Sequence, residues 1–181
     1  MCCAIIDEND SGAEGAYLTI EAEPGGKVIL DGSDPNLNNP NVNNWKNHSG
    51  NIYYTDLNWG NTACDEKSVP GFVGEERGGE GVRYLFFRGS GEWGDFLSAP
   101  NGSAYYDCAG RLYVRTYDGD DPDGHIIHAS RESYGIILEG ADFVRIRDLE
   151  FQYYGTYAVF FTNPGADQNI VERNIFRSIG Y

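Results

Sequence analysis

The stretch Asp142–Gly155, DFVRIRDLEFQYYG, is answered by Asp167–Gly180, DQNIVERNIFRSIG. Aligned end to end, Ile146 falls on Val171, Leu149 on Asn174, Phe151 on Phe176 and Gly155 on Gly180, a constant offset of 25 residues. Within the first copy the inward positions are Ile146, then Leu149 and Phe151 beyond a turn at Asp148. A repeat this short holds only a few strands and cannot bury an apolar face alone, so it stacks on its neighbour. Asn174 carries two readings. An inward amide at a turn can join a hydrogen-bonded ladder with the next repeat, and Asn is also an ordinary turn residue.

Outward from the repeat, the remaining signals are short β-branched or aromatic runs bounded by Gly, Pro, Asp and Asn. AYLTIEAEPGGKVILDG (Ala16–Gly32) gives alternating Leu18 and Ile20, a turn at Pro24-Gly25-Gly26, and a second run Val28–Leu30. Ser33–Asn51 is Asn-rich and reads as a loop. Strand-like runs follow at Asn51–Leu57, Val82–Gly89, Ser103–Asp107 and Arg111–Tyr117, the last two forming a hairpin about Cys108-Ala109-Gly110. HIIHAS (His125–Ser130) is grouped with YGIILEG (Tyr134–Gly140) as a strand pair ahead of the repeat. Gly 24 and Pro 7 make roughly one residue in six a chain-bender, too many for a helical bundle, and no segment keeps a helical period over three turns. The chain reads as all-β.

YLTIEAEPGGKVILDGSD, RLYVRTYDGDDPDGHIIHAS, YGIILEGADFVRIRDLEFQYYG and NIVERNIFRSIG together resemble the right-handed parallel β-helix proteins of the pectate-lyase-like superfamily. The matches cover roughly residues 17–32 and 111–181. The resemblance implies a solenoid with a small inserted antiparallel β-domain: first coils over 1–32, the insert over 33–124, and further coils over 125–181. It implies a polysaccharide or oligosaccharide partner and an extracellular or cell-surface setting. It points to a glycoside hydrolase or, second, a polysaccharide lyase; the alternative is a non-catalytic β-helix adhesin, fibre or cell-wall glycan-binding module. An ordinary β-sandwich that happens to repeat once is a third reading. The abrupt ends suggest an N-terminal fragment with its catalytic centre largely outside the chain.

Glycoside hydrolysis needs two carboxylates about 5–10 Å apart. Asp31, Glu139, Asp142, Asp148 and Glu150 fall at strand ends where they could face a groove or simply cap turns, so no catalytic residue is assigned. No cofactor is expected, with Ca²⁺ reserved for the lyase reading. DGDDPDGH (Asp118–His125) is acidic, but Pro122 interrupts a calcium-loop pattern, and a tight turn explains it better. His125 and His128, three apart in a strand, face opposite ways and make poor partners for one metal. Sugar faces stack on aromatic rings, which makes Trp45, Tyr53, Tyr54, Trp59 and Trp93 of the insert the candidate carbohydrate-binding residues. Alternation puts Tyr53 and Tyr54 on opposite faces, and a small β-domain also needs aromatics for its own core.

Charge and cysteines bound the remainder. Lys+Arg 13 against Asp+Glu 28 gives a net charge of −15 with no basic patch, which excludes a phosphate-backbone partner and favours neutral glycans over polyuronates. No run of 18 apolar residues exists, so a membrane-spanning helix is excluded. The N-terminus carries no signal-peptide pattern. Of Cys2, Cys3, Cys64 and Cys108, the first two are adjacent and poorly placed to pair with each other. Cys64 and Cys108 form either a disulfide or two buried thiols.

Overall fold

The computed structural model describes residues 4–39, 41–42, 44–57, 59, 70–76, 81–87, 93–162 and 166–180. In chain order the elements are β1 (Ala4–Asp7), β2 (Leu18–Glu21), β3 (Ile29–Asp31), β4 (Lys46–Ser49), β5 (Ile52–Asp56), β6 (Val73–Glu76), β7 (Val82–Tyr84) and β8 (Phe86–Phe87). A single helical turn, α1 (Trp93–Leu97), precedes β9 (Ser103–Tyr106), β10 (Arg111–Arg115) and β11 (Ile126–Ala129). The chain closes with β12 (Tyr134–Glu139), β13 (Val144–Arg147), β14 (Glu150–Gln152), β15 (Tyr157–Thr162), β16 (Ile170–Glu172) and β17 (Ile175–Arg177). They divide into two compact units, Met1–Gly32 with Glu132–Tyr181, and Ser33–Arg131.

The first unit is parallel throughout. Its strands come in three consecutive triplets, and each triplet gives one strand to each of three sheets: β1-β12-β15, β2-β13-β16 and β3-β14-β17. The register is the one the repeat dictates, with Ile146 opposite Val171 and Phe151 opposite Phe176. Left-handed residues mark the turns at the same interval: Phe143 and Gln168, Asp148 and Arg173, Tyr153 and Ser178. A non-glycine residue in that region costs roughly 1–2 kcal/mol, so its recurrence at equivalent positions reflects what the bend between strands requires.

Asn174 forms no amide ladder; its side chain instead bridges to the backbone of the preceding copy. Its Oδ1 accepts from Leu149 N at 3.0 Å and its Nδ2 donates to Ile146 O at 2.9 Å. Asn169 repeats the device one turn earlier, accepting from Val144 N at 2.7 Å and donating to Ala141 O at 2.8 Å. Each side chain therefore satisfies a backbone donor and acceptor that the turn takes out of the ladder. The core lies in the middle triplet, where Leu138, Val144, Ile146 and Phe151 are fully buried.

The right-handed parallel β-helix expected from the sequence is corrected. The parallel strands form three separate three-stranded sheets, and none is curled or closed into a solenoid. The chain is an all-β fold of several small parallel and antiparallel sheets. A 25-residue repeat fixes how one copy pairs with the next, but it does not dictate closure. The β-helix hydrolase or lyase mechanism, and the β-helix adhesin, fibre or wall-module alternative, rest on that closure and are set aside with it.

The second unit, antiparallel except for the parallel β8–β9 pair, holds a five-stranded sheet, β4-β5-β10-β9-β8, and a three-stranded one, β11-β6-β7. The β9–β10 hairpin forms as expected, with Cys108 and Gly110 at positive φ in its turn. Two details differ from the sequence reading. The Asn-rich segment contains β4, which pairs with β5, and HIIHAS pairs with Val73–Glu76 rather than with YGIILEG. Long-range partners decide both, and local pattern does not show them. Ser33 bridges to Ser130, so the ends of this unit meet.

Candidate functional site

Within the antiparallel unit a polar cavity of about 280 Å³ is lined by Asp34, Asn36, Asn44, Thr55, Asp56, Trp59 and Arg131, with Leu37 and Leu57. Asp34 organises it. Its backbone N–H donates to Ala129 O at 2.9 Å, next to the meeting of the unit's ends. The buried carboxylate accepts from Asn36 N at 2.9 Å and Asn36 Nδ2 at 3.0 Å through Oδ1, and from Trp59 Nε1 at 2.6 Å through Oδ2. The Asp34-Pro35-Asn36 turn and the indole are thus held by one group.

The opposite wall comes from β5 and the segment before β4. Strand alternation turns Thr55 inward, where it is buried, and leaves Asp56 exposed. Lys46 Nζ reaches Asp56 at 2.8 Å and Arg111 Nε at 2.9 Å, and these hydrogen bonds, Lys46 first, hold the Asp56 carboxyl below its usual range. Asn44 donates from Nδ2 to Asn36 O, while its backbone N–H is held by Asp123 Oδ1 at 3.0 Å. The lining offers carboxylates, amides, a hydroxyl and a guanidinium beside one indole. It can exchange several hydrogen bonds with a small polyhydroxylated molecule without burying an uncompensated charge.

Of the five aromatic candidates, Trp59 alone lines this cavity. Trp45 is buried in the core with Leu37, Leu57, Leu112 and Ile127, and Tyr53 packs against that same cluster. Tyr54 and Trp93 pack on a second cluster with Phe96, Tyr105 and Tyr113. Tyr53 and Tyr54 therefore face opposite ways, as alternation requires. His48 sits with its ring edge-on to Trp93 at 5.3 Å. Asp34, Asn36, Asn44 and Arg131 escaped the sequence reading; the one available signal was the Asp-Pro-Asn turn, which marks a loop and not a cavity.

Four of the five acidic candidates of the parallel unit are engaged by neighbouring groups. Arg173 Nε donates to Asp148 Oδ1 at 2.8 Å, and Lys27 at 3.0 Å and Arg177 at 2.7 Å flank Glu150. The Arg173 hydrogen bond lowers the Asp148 pKa, and those from Lys27 and then Arg177 lower that of Glu150, so neither is poised to give up a proton near neutrality. Asp142 Oδ1 accepts from Asp167 N at 2.6 Å, and Asp31 Oδ2 from Gln152 Nε2 at 3.0 Å. Glu139 is exposed at the end of β12.

DGDDPDGH forms a tight turn: Asp118 Oδ1 accepts from Asp120 N and Asp121 Oδ1 from Asp123 N, each at 3.0 Å. Among the described residues, Glu75, Asp118 and His125 bring one ligand-type atom each within 4.8 Å of one another. Cys108 is disulfide-bonded; its expected partner, Cys64, lies outside the described residues.

No family model matches this chain, and no curated protein matches it. A solved structure does, the complex structure of XylC with xylose, over 93% of this chain at a TM-score of 0.61 and 15% identity. This chain spans 33% of that one, and at such identity the likeness is one of fold. Membership of the pectate-lyase-like superfamily is corrected here, since no family model supports it and the matched structure is described as XylC with xylose.

Proposed function

We propose that the antiparallel unit, Ser33–Arg131, binds a saccharide, a single sugar ring or a short oligosaccharide, in the cavity of Trp59 and Asp34. The observation that carries this is the Trp59–Asp34 pair in a polar wall. An indole offers an apolar face to the C–H side of a pyranose or pentose ring. Asp34, Asn36, Asn44 and Arg131 offer the donors and acceptors that ring hydroxyls exchange with water. The hydrogen bond from Nε1 to Asp34 fixes the indole beforehand, which reduces the entropy lost on binding. The xylose named with XylC is a molecule of this class. An extracellular or cell-surface setting belongs to the same reading, in keeping with the disulfide at Cys108.

Titration calorimetry with xylose, glucose and short xylo-oligosaccharides tests it. Saturable binding is expected, weakened about tenfold or more by Trp59→Ala, which corresponds to about 1.4 kcal/mol. Trp93→Phe, in the separate aromatic cluster, leaves the affinity unchanged. Absence of saturable binding across the sugar panel, or loss through Trp93 with Trp59→Ala silent, overturns the assignment.

A further inference from the structure

Away from the cavity, Glu75 of β6, Asp118 of the turn after β10 and His125, the residue before β11, place a histidine between two carboxylates. Glu75 and His125 are buried, and the Asp118 side chain is 18% exposed while its Oδ2, on the cluster side, is buried. His125 Nδ1 lies 2.7 Å from Glu75 Oε1, a hydrogen-bond distance. Glu75 is itself fixed, because its Oε2 accepts the backbone N–H of Tyr117 at 2.9 Å. When Nδ1 faces Glu75, the other ring nitrogen, Nε2, is the one turned toward Asp118 Oδ2, at 3.7 Å. Asp118 Oδ1 faces the turn and accepts from Asp120 N.

That 3.7 Å is the informative distance. It is longer than a hydrogen bond. Two ligand atoms bound to one ion at roughly 2.0–2.2 Å, with a tetrahedral or slightly wider angle between them, stand about 3.4–3.8 Å apart. The 2.7 Å Glu75 contact is too short for a pair of co-ligands and suits a carboxylate that orients a ligating histidine through its other ring nitrogen. An imidazole in the donor set favours zinc-class ions over calcium, which takes oxygen ligands.

We propose that His125 Nε2 and Asp118 Oδ2 bind a divalent transition-metal ion of the zinc class, water completing the coordination, with Glu75 acting as a positioning residue for the imidazole. His128 takes no part: its Nε2 lies 3.2 Å from Glu76 Oε2, the neighbouring position of β6.

The test uses the full, disulfide-intact chain with zinc or cobalt(II) chloride as the probe. Zinc is expected to raise Tm progressively with its concentration, and cobalt to develop a visible d–d band. Asp118→Asn, a near-isosteric change at the partly exposed ligand, abolishes both while leaving the circular dichroism spectrum intact. Glu75→Gln weakens zinc affinity by about 10–100-fold without removing the band. His128→Gln leaves zinc affinity unchanged. Absence of a Tm rise and of a band in the unaltered chain overturns the site, and so does a response that survives Asp118→Asn.

Discussion

The two units solve one problem, burying apolar strand faces in a glycine-rich chain, by different means. In the parallel unit each position inherits its partner from the position 25 residues away, and a side-chain amide holds successive triplets together at the turns. In the antiparallel unit no period exists. Aromatic packing about Phe96, Tyr105 and Tyr113, and long-range pairing such as β11 with β6, set the arrangement. Periodic architecture repeats its geometry while its burial varies from copy to copy, whereas aperiodic architecture leaves room for an irregular polar cavity. The difference teaches where function can be built: a repeat constrains every copy alike, and a site of unlike side chains fits more readily outside it.

Truncating the same repeat position in its two copies separates position from burial. Phe151 is fully buried, and its register partner Phe176 is 49% exposed with their rings stacked at 5.4 Å. Phe151→Ala should cost about 3–5 kcal/mol in urea unfolding, as Phe96→Ala should in the antiparallel unit. Phe176→Ala should cost about 1 kcal/mol. Equal losses at 151 and 176 would show that repeat position, not burial, sets the energy.

The amide bridge comes next. Asn174→Ala leaves Leu149 N and Ile146 O without their side-chain partner, a loss of about 1–3 kcal/mol. Hydrogen exchange at Leu149 should accelerate accordingly, and unchanged protection there would remove the bridge from the account.

A smaller effect, of opposite sign, follows from backbone strain. Ser178 sits at φ 50°, where glycine meets no Cβ penalty, so Ser178→Gly should stabilise by about 0.5–1 kcal/mol despite glycine's greater freedom when unfolded. A fall in thermal stability would contradict the turn geometry.

The least effect belongs to the carboxylates of the ion pairs. Asp148 and Glu150 are held below their ordinary values of 3.8 and 4.5. A carboxylate depressed in the folded state contributes fully above its unfolded value and loses that contribution as pH falls through the folded one. Stability of the parallel unit should therefore decline below about pH 4.5, and Glu150→Gln should flatten the decline in a Tm series from pH 6 to 2. A profile that Glu150→Gln leaves as steep would mean that Lys27 and Arg177 contribute nothing.

How much was legible follows the same division. The offset pairing Ile146 with Val171 and Phe151 with Phe176 was readable because identical spacing recurs in the sequence, and so were the turn at Asp148 and the β9–β10 hairpin. The left-handed turns at Phe143 and Tyr153, and the second bridge at Asn169, were not, because residue type alone does not announce them. Strand β1 escaped notice because its partner, β12, lies far along the chain. Of the cavity, Trp59 was singled out with four other aromatics, and nothing local separated it from Trp45, which the core claims. Its polar wall is gathered from Asp34, Asn44, Thr55 and Arg131, residues that become neighbours only when the unit folds.

The meeting of the unit's ends carries one more consequence. Ser33 bridges to Ser130, and on the parallel side Glu132 N donates to Gly32 O at 3.0 Å. The parallel unit is thus interrupted at a point where its own backbone is already within hydrogen-bond reach of itself. A tight turn could rejoin it there, and the excised segment would keep both termini side by side. Ninety-odd residues with such ends are portable: they can be deleted, grafted into another loop or circularly permuted with little loop-closure penalty. The geometry that makes this segment a guest in its present host equips it to be a guest elsewhere.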